Sequence, residues 1–202
     1  MRLRSSLLIP LLAAAPPLTA QTPAHHGWRL GAGVDALRFG HVAVGGAAPG
    51  VAVELRPSGR SALHLAVGRS AGSWDVSLEV GWADGDIEAR NDAFALRDLT
   101  AGVTRYRVSP AVGRRLGSIG PGAITVELAP TLDLWSVSGD SRLRAGAEGR
   151  LVLQVPLGSV DLEHRLGFGL SGSPIETADV GEVADERGLR TLLIGLGVRT
   201  RL

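Results

Sequence analysis

The sequence predicts an all-β fold: an antiparallel up-and-down β-barrel of eight to ten strands that spans a membrane. Three observations support this prediction. Runs of residues alternate between apolar and polar, the N-terminus resembles an export signal, and the chain of 202 residues has no cysteine. Alternation with a period of two is typical of a strand with one apolar face. An exported chain without disulfides must be held together by packing and backbone pairing.

The first twenty residues have the layout of a secretory signal peptide. Two arginines precede an apolar run from Leu7 to Leu18, and small residues lead to a cleavage site after Ala20. That run is shorter than the ~20 residues that a membrane-spanning helix needs. We therefore expect residues 1–20 to be removed and residues 21–202 to form one barrel domain.

The charge of the mature chain argues against a nucleic-acid partner. The whole sequence has 21 basic and 20 acidic residues, and two of the basic ones belong to the signal peptide. A nearly neutral chain lacks the electrostatic basis for binding a phosphate backbone. The five histidines show no spacing with Asp or Glu that is typical of a metal site, so we expect no cofactor.

Nine runs of alternating residues follow one another along the mature chain. The four that precede an acidic loop cover residues 28–37, 51–56, 63–67 and 74–82. Pro57 and Gly59 form a turn signal between the second and third runs. The five that follow the loop cover residues 96–108, 124–135, 143–155, 160–170 and 192–202. Closed bacterial barrels have an even number of strands, so nine runs predict eight or ten.

Two details of these runs predict local structure. Pro130 has no amide hydrogen, so it should mark a weak point in the strand ladder. The tight link from Pro156 to Ser159 predicts a hairpin. With Val155 opposite Val160, the hairpin would place two pairs of opposite charges on diagonals of its polar face. Those pairs are Arg150 with Glu163, and Glu148 with Arg165.

We expect the apolar faces to contact lipid and the polar faces to line the lumen. Several runs are ten to fourteen residues long, near the ~9–11 that cross a bilayer and above the ~5–6 of a soluble strand. Buried lone charges are costly, so the charges of the polar faces should pair. The expected lumen network consists of Glu127, Asp133, Arg144, Glu148, Arg150, Glu163, Arg165 and Arg199. Trp28, Trp74, Trp82 and Trp135 lie at strand ends, which predicts interfacial girdles.

The last run also carries a family resemblance. Gly197 is followed three and five residues later by Thr200 and Leu202, and Leu202 ends the chain. With the signal peptide and the alternation, this pattern resembles the small outer-membrane β-barrel proteins of Gram-negative bacteria. The resemblance implies a monomer in the outer membrane, in contact with membrane lipid and lipopolysaccharide. It also implies that the barrel-insertion machinery reads the closing strand.

No motif in the sequence identifies an activity. Asp84-Gly85-Asp86 and Ser171-Gly172-Ser173 are more typical of turns than of catalysis. Two acidic loops could collect divalent cations that bridge to lipopolysaccharide, although solvated loops are the commoner role of such charge. These loops hold Asp84, Asp86, Glu88, Asp92, Glu176, Asp179, Glu182, Asp185 and Glu186.

We therefore expect a structural or interaction protein whose lumen is filled by side chains, and not an enzyme. An eight-stranded barrel has an interior just wide enough for side chains to fill, which favours this interpretation. Three alternatives remain open: a narrow channel for small or hydrophobic solutes, a lipid-modifying outer-membrane enzyme, and a soluble periplasmic ligand-binding barrel.

Overall fold

The computed structural model describes residues 27–48, 51–90, 95–176, 185–186 and 188–202. These residues form eleven strands: β1 (Gly27–Phe39), β2 (Ala43–Ala48), β3 (Val51–Pro57), β4 (Ser61–Ala71), β5 (Trp74–Arg90), β6 (Ala95–Ile119), β7 (Gly122–Val137), β8 (Asp140–Leu157), β9 (Val160–Ser171), β10 (Asp185–Glu186) and β11 (Leu189–Arg201). The expected signal peptide, residues 1–20, lies outside the described residues. In the part of the chain that is described, no helix is long and apolar enough to cross a membrane.

Eight of these strands form a closed antiparallel ring. In order around the ring they are β1, β4, β5, β6, β7, β8, β9 and β11, and β11 pairs with β1 to close it. Closure gives the backbone hydrogen-bonding groups partners within the ring, which a membrane-spanning sheet requires. The predicted antiparallel up-and-down barrel is confirmed, with a ring of eight strands among the described residues.

The second alternating run is not a barrel strand. It belongs to β3, which pairs with β2 on one side and with the last residues of β5 on the other. The short strand β10 pairs with β2. Nine alternating runs therefore correspond to eight ring strands and one strand of a hairpin outside the ring. Alternation alone does not distinguish the two.

The two ends of the barrel differ. At the end that we call the turn end, tight two-residue turns join β4 to β5, β6 to β7 and β8 to β9. These turns use Gly72, Gly120 and Gly158, each with a positive φ that a residue with a side chain rarely adopts. The opposite, loop end carries the β2–β3 hairpin and the long link between β9 and β11, together with one two-residue turn, Ser138-Gly139, between β7 and β8. In bacterial outer-membrane barrels the short turns face the periplasm and the longer loops face outward.

The predicted register of the β8–β9 hairpin is wrong by two residues. Its turn is Gly158-Ser159, so Leu157 pairs with Val160 and Val155 pairs with Leu162. The positive φ of Gly158 allows a two-residue turn, so β8 continues to Leu157, two residues beyond its expected end at Val155. A shift of two residues leaves every side chain on its predicted face. It does change which charges are diagonal neighbours.

The faces of the barrel are distributed as in a membrane protein. Outward side chains are mostly apolar and exposed, and Leu128 is 68% exposed. Inward side chains of the same strand are buried and charged, and Asp133 is 0% exposed. A soluble barrel has the reverse distribution, because its apolar face forms the core. The expected sidedness is confirmed, and it contradicts the alternative of a soluble periplasmic barrel.

Two prolines interrupt the ladder between β6 and β7. Paired residues run from Val103 to Val108 and resume at Val112, and the gap contains Pro110. Pro130 lies on the facing stretch of β7 and pairs with Ala147 of β8. Because a proline has no amide hydrogen to donate, each of these two prolines removes a donor from this stretch of the sheet, and the β6–β7 ladder has its gap there. The predicted weak point at Pro130 is confirmed.

Candidate functional site

The candidate site is the lumen, and a carboxylate lies at its centre. Glu79 of β5 accepts hydrogen bonds from both terminal nitrogens of Arg150, at 2.9 and 3.0 Å. It also accepts one from Arg165 at 2.8 Å. These three side chains come from β5, β8 and β9, and β5 is not adjacent to either of the others in the ring. Their contacts therefore cross the lumen.

The charged contacts continue toward β6 and β7. Arg150 also donates to Glu148, which in turn accepts a hydrogen bond from Arg107. Arg107 then donates to Asp133 at 3.0 Å. Arg105 donates to both oxygens of Asp133, at 3.0 and 2.7 Å. Bidentate arginine–carboxylate pairs are among the strongest hydrogen-bonded contacts in proteins.

On the other side, the contacts reach β4 and β1. Arg165 donates to Nε2 of His64 at 2.6 Å. Nδ1 of His64 lies 3.1 Å from Oδ2 of Asp35. Gly33 and Gly195 make room for this pair, because a Cβ at Gly33 would meet the histidine ring and one at Gly195 would overlap the aspartate carboxylate. We call the whole series the lumen charge chain: Asp35, His64, Arg165, Glu79, Arg150, Glu148, Arg107, Asp133 and Arg105.

Nearer the turn end, a second group of charges fills the lumen. Arg199 donates to Glu163 at 2.8 Å. Nη1 of Arg29 lies 3.8 Å from Oδ1 of Asp75, and Asp75 accepts a hydrogen bond from Ser70. Glu127 lies between the two groups, 3.8 Å from Nη1 of Arg150. Charged side chains therefore fill the lumen from its middle to the turn end.

The structure places seven of the eight expected network residues inside the barrel. Glu127, Asp133, Glu148, Arg150, Glu163, Arg165 and Arg199 are all buried. Arg144 lies at the loop end with a side chain that is 25% exposed, and it pairs with Glu176. The expected diagonal pairs across β8 and β9 are wrong, because Arg150 lies opposite Gly167 and Glu148 opposite Gly169. Arg150, Arg165 and Glu148 instead find partners across the lumen, and Glu163 pairs with Arg199 of the neighbouring strand β11.

Several members of the charge chain were not among the expected residues. Asp35 and His64 lie on the polar faces of the first and third runs, so their phase was a usable signal. Arg105 and Arg107 belong to the fifth run, whose alternation is less clean. Phase identifies which side chains face inward but does not say which of them meet. The pairing depends on how the ring closes.

The loop end of the lumen is closed by apolar side chains. We call them the apolar plug: Leu37, Phe39, Val42, Ala62, Ala83, Val103, Trp135, Val137, Ile175, Leu189 and Leu193. Trp135 and Phe39 meet edge to face with ring centroids 5.8 Å apart. The guanidinium of Arg105 lies 5.1 Å from the Trp135 ring centroid, which joins the plug to the charge chain.

The expected girdle role of Trp135 is therefore wrong. Its side chain is 1% exposed and faces into the barrel. The physical reason is phase, because Trp135 lies two residues after the inward Asp133. Trp28, Trp74 and Trp82 face outward and are 54%, 50% and 41% exposed, as a girdle requires.

A short segment after β9 folds over the plug. Ile175 is 1% exposed, and the carbonyl oxygen of Pro174 accepts a hydrogen bond from Arg142 at 2.7 Å. Arg144 donates to the carbonyl oxygen of Ser173. Between the plug and the charge chain, the lumen retains a cavity of about 20 Å³. That volume holds about one water molecule.

The motifs that could suggest catalysis have structural partners. Asp84 accepts a hydrogen bond from Thr104, and Asp86 pairs with Arg60. Oγ of Ser173 bonds to the backbone of Ile175, which is turn chemistry. Among the described residues, no group of His, Cys, Asp or Glu could hold a metal ion.

Three of the described acidic residues of the two loops contact arginines. Besides Asp86 with Arg60, Glu88 pairs with Arg56 at 2.8 Å. Glu176 pairs with Arg144. Asp92, Asp179 and Glu182 lie outside the described residues. The contacts with arginine make the carboxylates of Asp86, Glu88 and Glu176 less available to a divalent cation.

Two residues of the expected closing-strand signal, Gly197 and Thr200, lie on β11, and the third, Leu202, directly follows it. Gly197 faces inward opposite Gly33 of β1. Thr200 lies on the outward face, and Leu202 is 73% exposed at the turn end. The amide of Leu202 donates to the carbonyl oxygen of Trp28 at 3.0 Å, which holds the end of the chain against β1.

No protein-family model matches this sequence, and no curated protein matches it. Solved structures do match. Neisserial surface protein A covers 87% of this chain and 97% of its own, at 11% identity and a TM-score of 0.58. The outer membrane protein OprG from Pseudomonas aeruginosa covers 88% and 97%, at 10% identity and a TM-score of 0.58. A major outer membrane protein from Thermus thermophilus covers 88% and 100%, at 13% identity and a TM-score of 0.54.

This chain has the fold of a small outer-membrane β-barrel. The resemblance inferred from the closing strand is thus confirmed at the level of the fold. The outward face independently requires lipid, because its exposed apolar side chains surround a charged interior. Fold and surface agree, so the expected outer-membrane localisation is confirmed.

Proposed function

We propose that this protein is a non-conducting outer-membrane barrel that acts through its loop end, in a structural or interaction role. The observation that carries the proposal is the filled lumen. The lumen charge chain crosses the barrel from β1 to β7, and the apolar plug covers it on the loop side. A solute would have to separate buried ion pairs, and breaking one costs about 3–5 kcal/mol.

The organisation of the loop end supports an interaction role. The β2–β3 hairpin is tied to β5 by backbone pairing and by the ion pair between Arg56 and Glu88. Arg60 and Asp86 add a second ion pair at 2.6 Å. Such ties give the hairpin a defined shape outside the ring. A surface with a defined shape binds a partner at a lower cost in conformational entropy than a flexible loop does.

The proposal includes the remaining expectations about partners and activity. The barrel is a monomer in contact with membrane lipid, and the insertion machinery recognises Gly197, Thr200 and Leu202 on the closing strand. It is not an enzyme. Asp84, Asp86 and Ser173 have the turn and ion-pair roles described above, which supports this assignment.

Conductance in planar lipid bilayers tests the proposal. The purified full chain should insert and show no discrete conductance steps, because the lumen has no continuous opening. Its insertion is verified separately by the different gel mobilities of boiled and unboiled samples. Regular ohmic steps from the wild-type protein would contradict the proposal and favour a narrow channel. A change in lipid A acyl chains that depends on the protein would favour a lipid-modifying enzyme.

A further inference from the structure

Outward-facing charges on the ring strands lie at the two ends of the apolar face. Among the described residues, Arg69 and Arg114 lie at the turn end, and Arg38 and Arg190 lie at the loop end. The outward carboxylate of Asp84 also lies toward the loop end, where it accepts a hydrogen bond from Thr104. Arg114 stacks on Trp74 at 5.7 Å, and Arg69 lies opposite Trp28. The arginines at the loop end have no such aromatic neighbour across the strand. Arg38 and Arg190 therefore differ in their surroundings from the two arginines at the turn end.

Arg38 and Arg190 lie on adjacent strands. Arg38 of β1 is opposite Leu192 of β11. The amide of Gly40 donates to the carbonyl oxygen of Arg190, so Arg190 is a diagonal neighbour of Arg38. Residues in that relation lie about 7–8 Å apart, within reach of two long side chains. Both are exposed, and within the described part of the chain neither forms a salt bridge or a side-chain hydrogen bond.

An apolar groove runs down the outer wall below this pair. Its volume is about 720 Å³, and its lining includes Ala36, Ser61, Leu153, His164, Ile194 and Leu196. Ala36 lies two residues from Arg38 on the same face and pairs with both Ser61 and Ile194. The short side chains of Ala36 and Ser61 give the groove its depth. A cationic pair above an apolar groove complements an anionic head group with an acyl chain.

We propose that Arg38 and Arg190 bind a phosphate of an outer-leaflet glycolipid, and that one of its acyl chains lies in the groove. The inference rests on the proposed function, because that function places the loop end at the outer leaflet. Arginine binds phosphate through paired hydrogen bonds. Each basic side chain near an anionic membrane surface strengthens binding by about fivefold.

The test uses the full chain in phosphatidylcholine nanodiscs with fluorescent lipid A that carries two phosphates. The variant R38Q/R190Q should bind this probe roughly tenfold to thirtyfold more weakly than the wild type, from two contributions of that size. The matched control R69Q/R114Q removes the same charge at the turn end and should change binding by less than about threefold. Equal loss in both variants, or no loss in R38Q/R190Q, would overturn the site.

Two further measurements test the two halves of the ligand. Lipid A without phosphates should bind the wild type as weakly as the phosphorylated probe binds R38Q/R190Q. If it binds as tightly as the phosphorylated form, the phosphate assignment is wrong. Ala36→Trp should fill the groove and weaken binding, whereas Ala147→Trp, on the outward face of β8, should not. Equal effects of the two tryptophans would exclude the groove.

Failure of this inference is distinguishable from failure of the proposed function. If the wild type shows no mobility shift on boiling, or conducts ions, the proposed function is wrong whatever the lipid data are. If it folds, does not conduct and binds lipid A independently of Arg38 and Arg190, only the glycolipid site is wrong.

Discussion

The central carboxylate of the charge chain should be the most sensitive position in the lumen. Glu79 is 5% exposed and accepts three hydrogen bonds from two buried arginines. Glu79→Gln removes the charge with little change in volume and leaves both guanidinium groups short of a counter-charge. Breaking a buried ion pair costs about 3–5 kcal/mol. Arg150 keeps Glu148 and Arg165 keeps its contact with His64, so we expect the lower end, about 3 kcal/mol.

The assay is urea unfolding of the barrel in lipid vesicles, followed by the folded band of unboiled samples. The control is Glu88→Gln, because Glu88 pairs with Arg56 at the loop end and both side chains are only half-buried. A partly exposed pair of this kind contributes about 0–1 kcal/mol. Equal losses of unfolding free energy in the two variants would refute the charge chain as the main stabilising feature of the lumen.

A double-mutant cycle separates the interaction energy between Glu79 and Arg150 from the effects of changing each side chain alone. Arg150→Met combined with Glu79→Gln removes the bidentate pair and leaves fewer buried charges than either single change. Because an apolar replacement of a buried ion pair is often neutral, the double variant should be more stable than the sum of the single losses predicts. Strict additivity would mean that the two side chains do not interact energetically.

Three further predictions concern the plug, the outer face and the close approach at Asp35. Trp135→Ala should lower the unfolding free energy by about 3–5 kcal/mol, whereas the outward Trp82→Ala should cost less; equal costs would contradict the plug. Leu128→Arg should lower the unfolding free energy by about 2–4 kcal/mol, and Leu116→Arg, near the turn end, should lower it by about 0–1 kcal/mol. Denaturant titrations in vesicles measure both losses. Gly195→Ala should cost about 1–3 kcal/mol through overlap with Asp35, whereas the added Cβ of Gly149→Ala would make only an ordinary contact with Leu128 and should be nearly neutral; melting curves that coincide would contradict this packing.

The sidedness of the barrel was predictable from sequence because local phase groups the side chains by face, and the length and charge of the runs indicate which face meets lipid. The seventh strand illustrates this, since Leu128 and Leu132 alternate with Glu127 and Asp133 in the chain and on opposite faces of the structure. The same logic accounts for Trp135. Its phase with Asp133 indicated the lumen, but the tendency of tryptophan to lie at membrane interfaces favoured the girdle.

Features that depend on ring closure were not predictable. A two-residue slip of the β8–β9 hairpin preserves every face, so the pattern could not exclude the wrong register. Run 51–56 alternates like a barrel strand, although it pairs outside the ring. The contact between Glu79 and Arg150 joins strands that are not neighbours. Only the closed barrel brings them together.

The most direct test of the account is which face of the strands contacts lipid. The chain has no native cysteine, so single cysteines can be introduced and labelled with a small fluorophore in vesicles that contain brominated lipid. Labels at Leu128 and Leu132 should be strongly quenched, and labels at Ala129 and Thr131 should not. Quenching at Ala129 and Thr131 instead would contradict a lipid-embedded barrel with a charged, closed lumen.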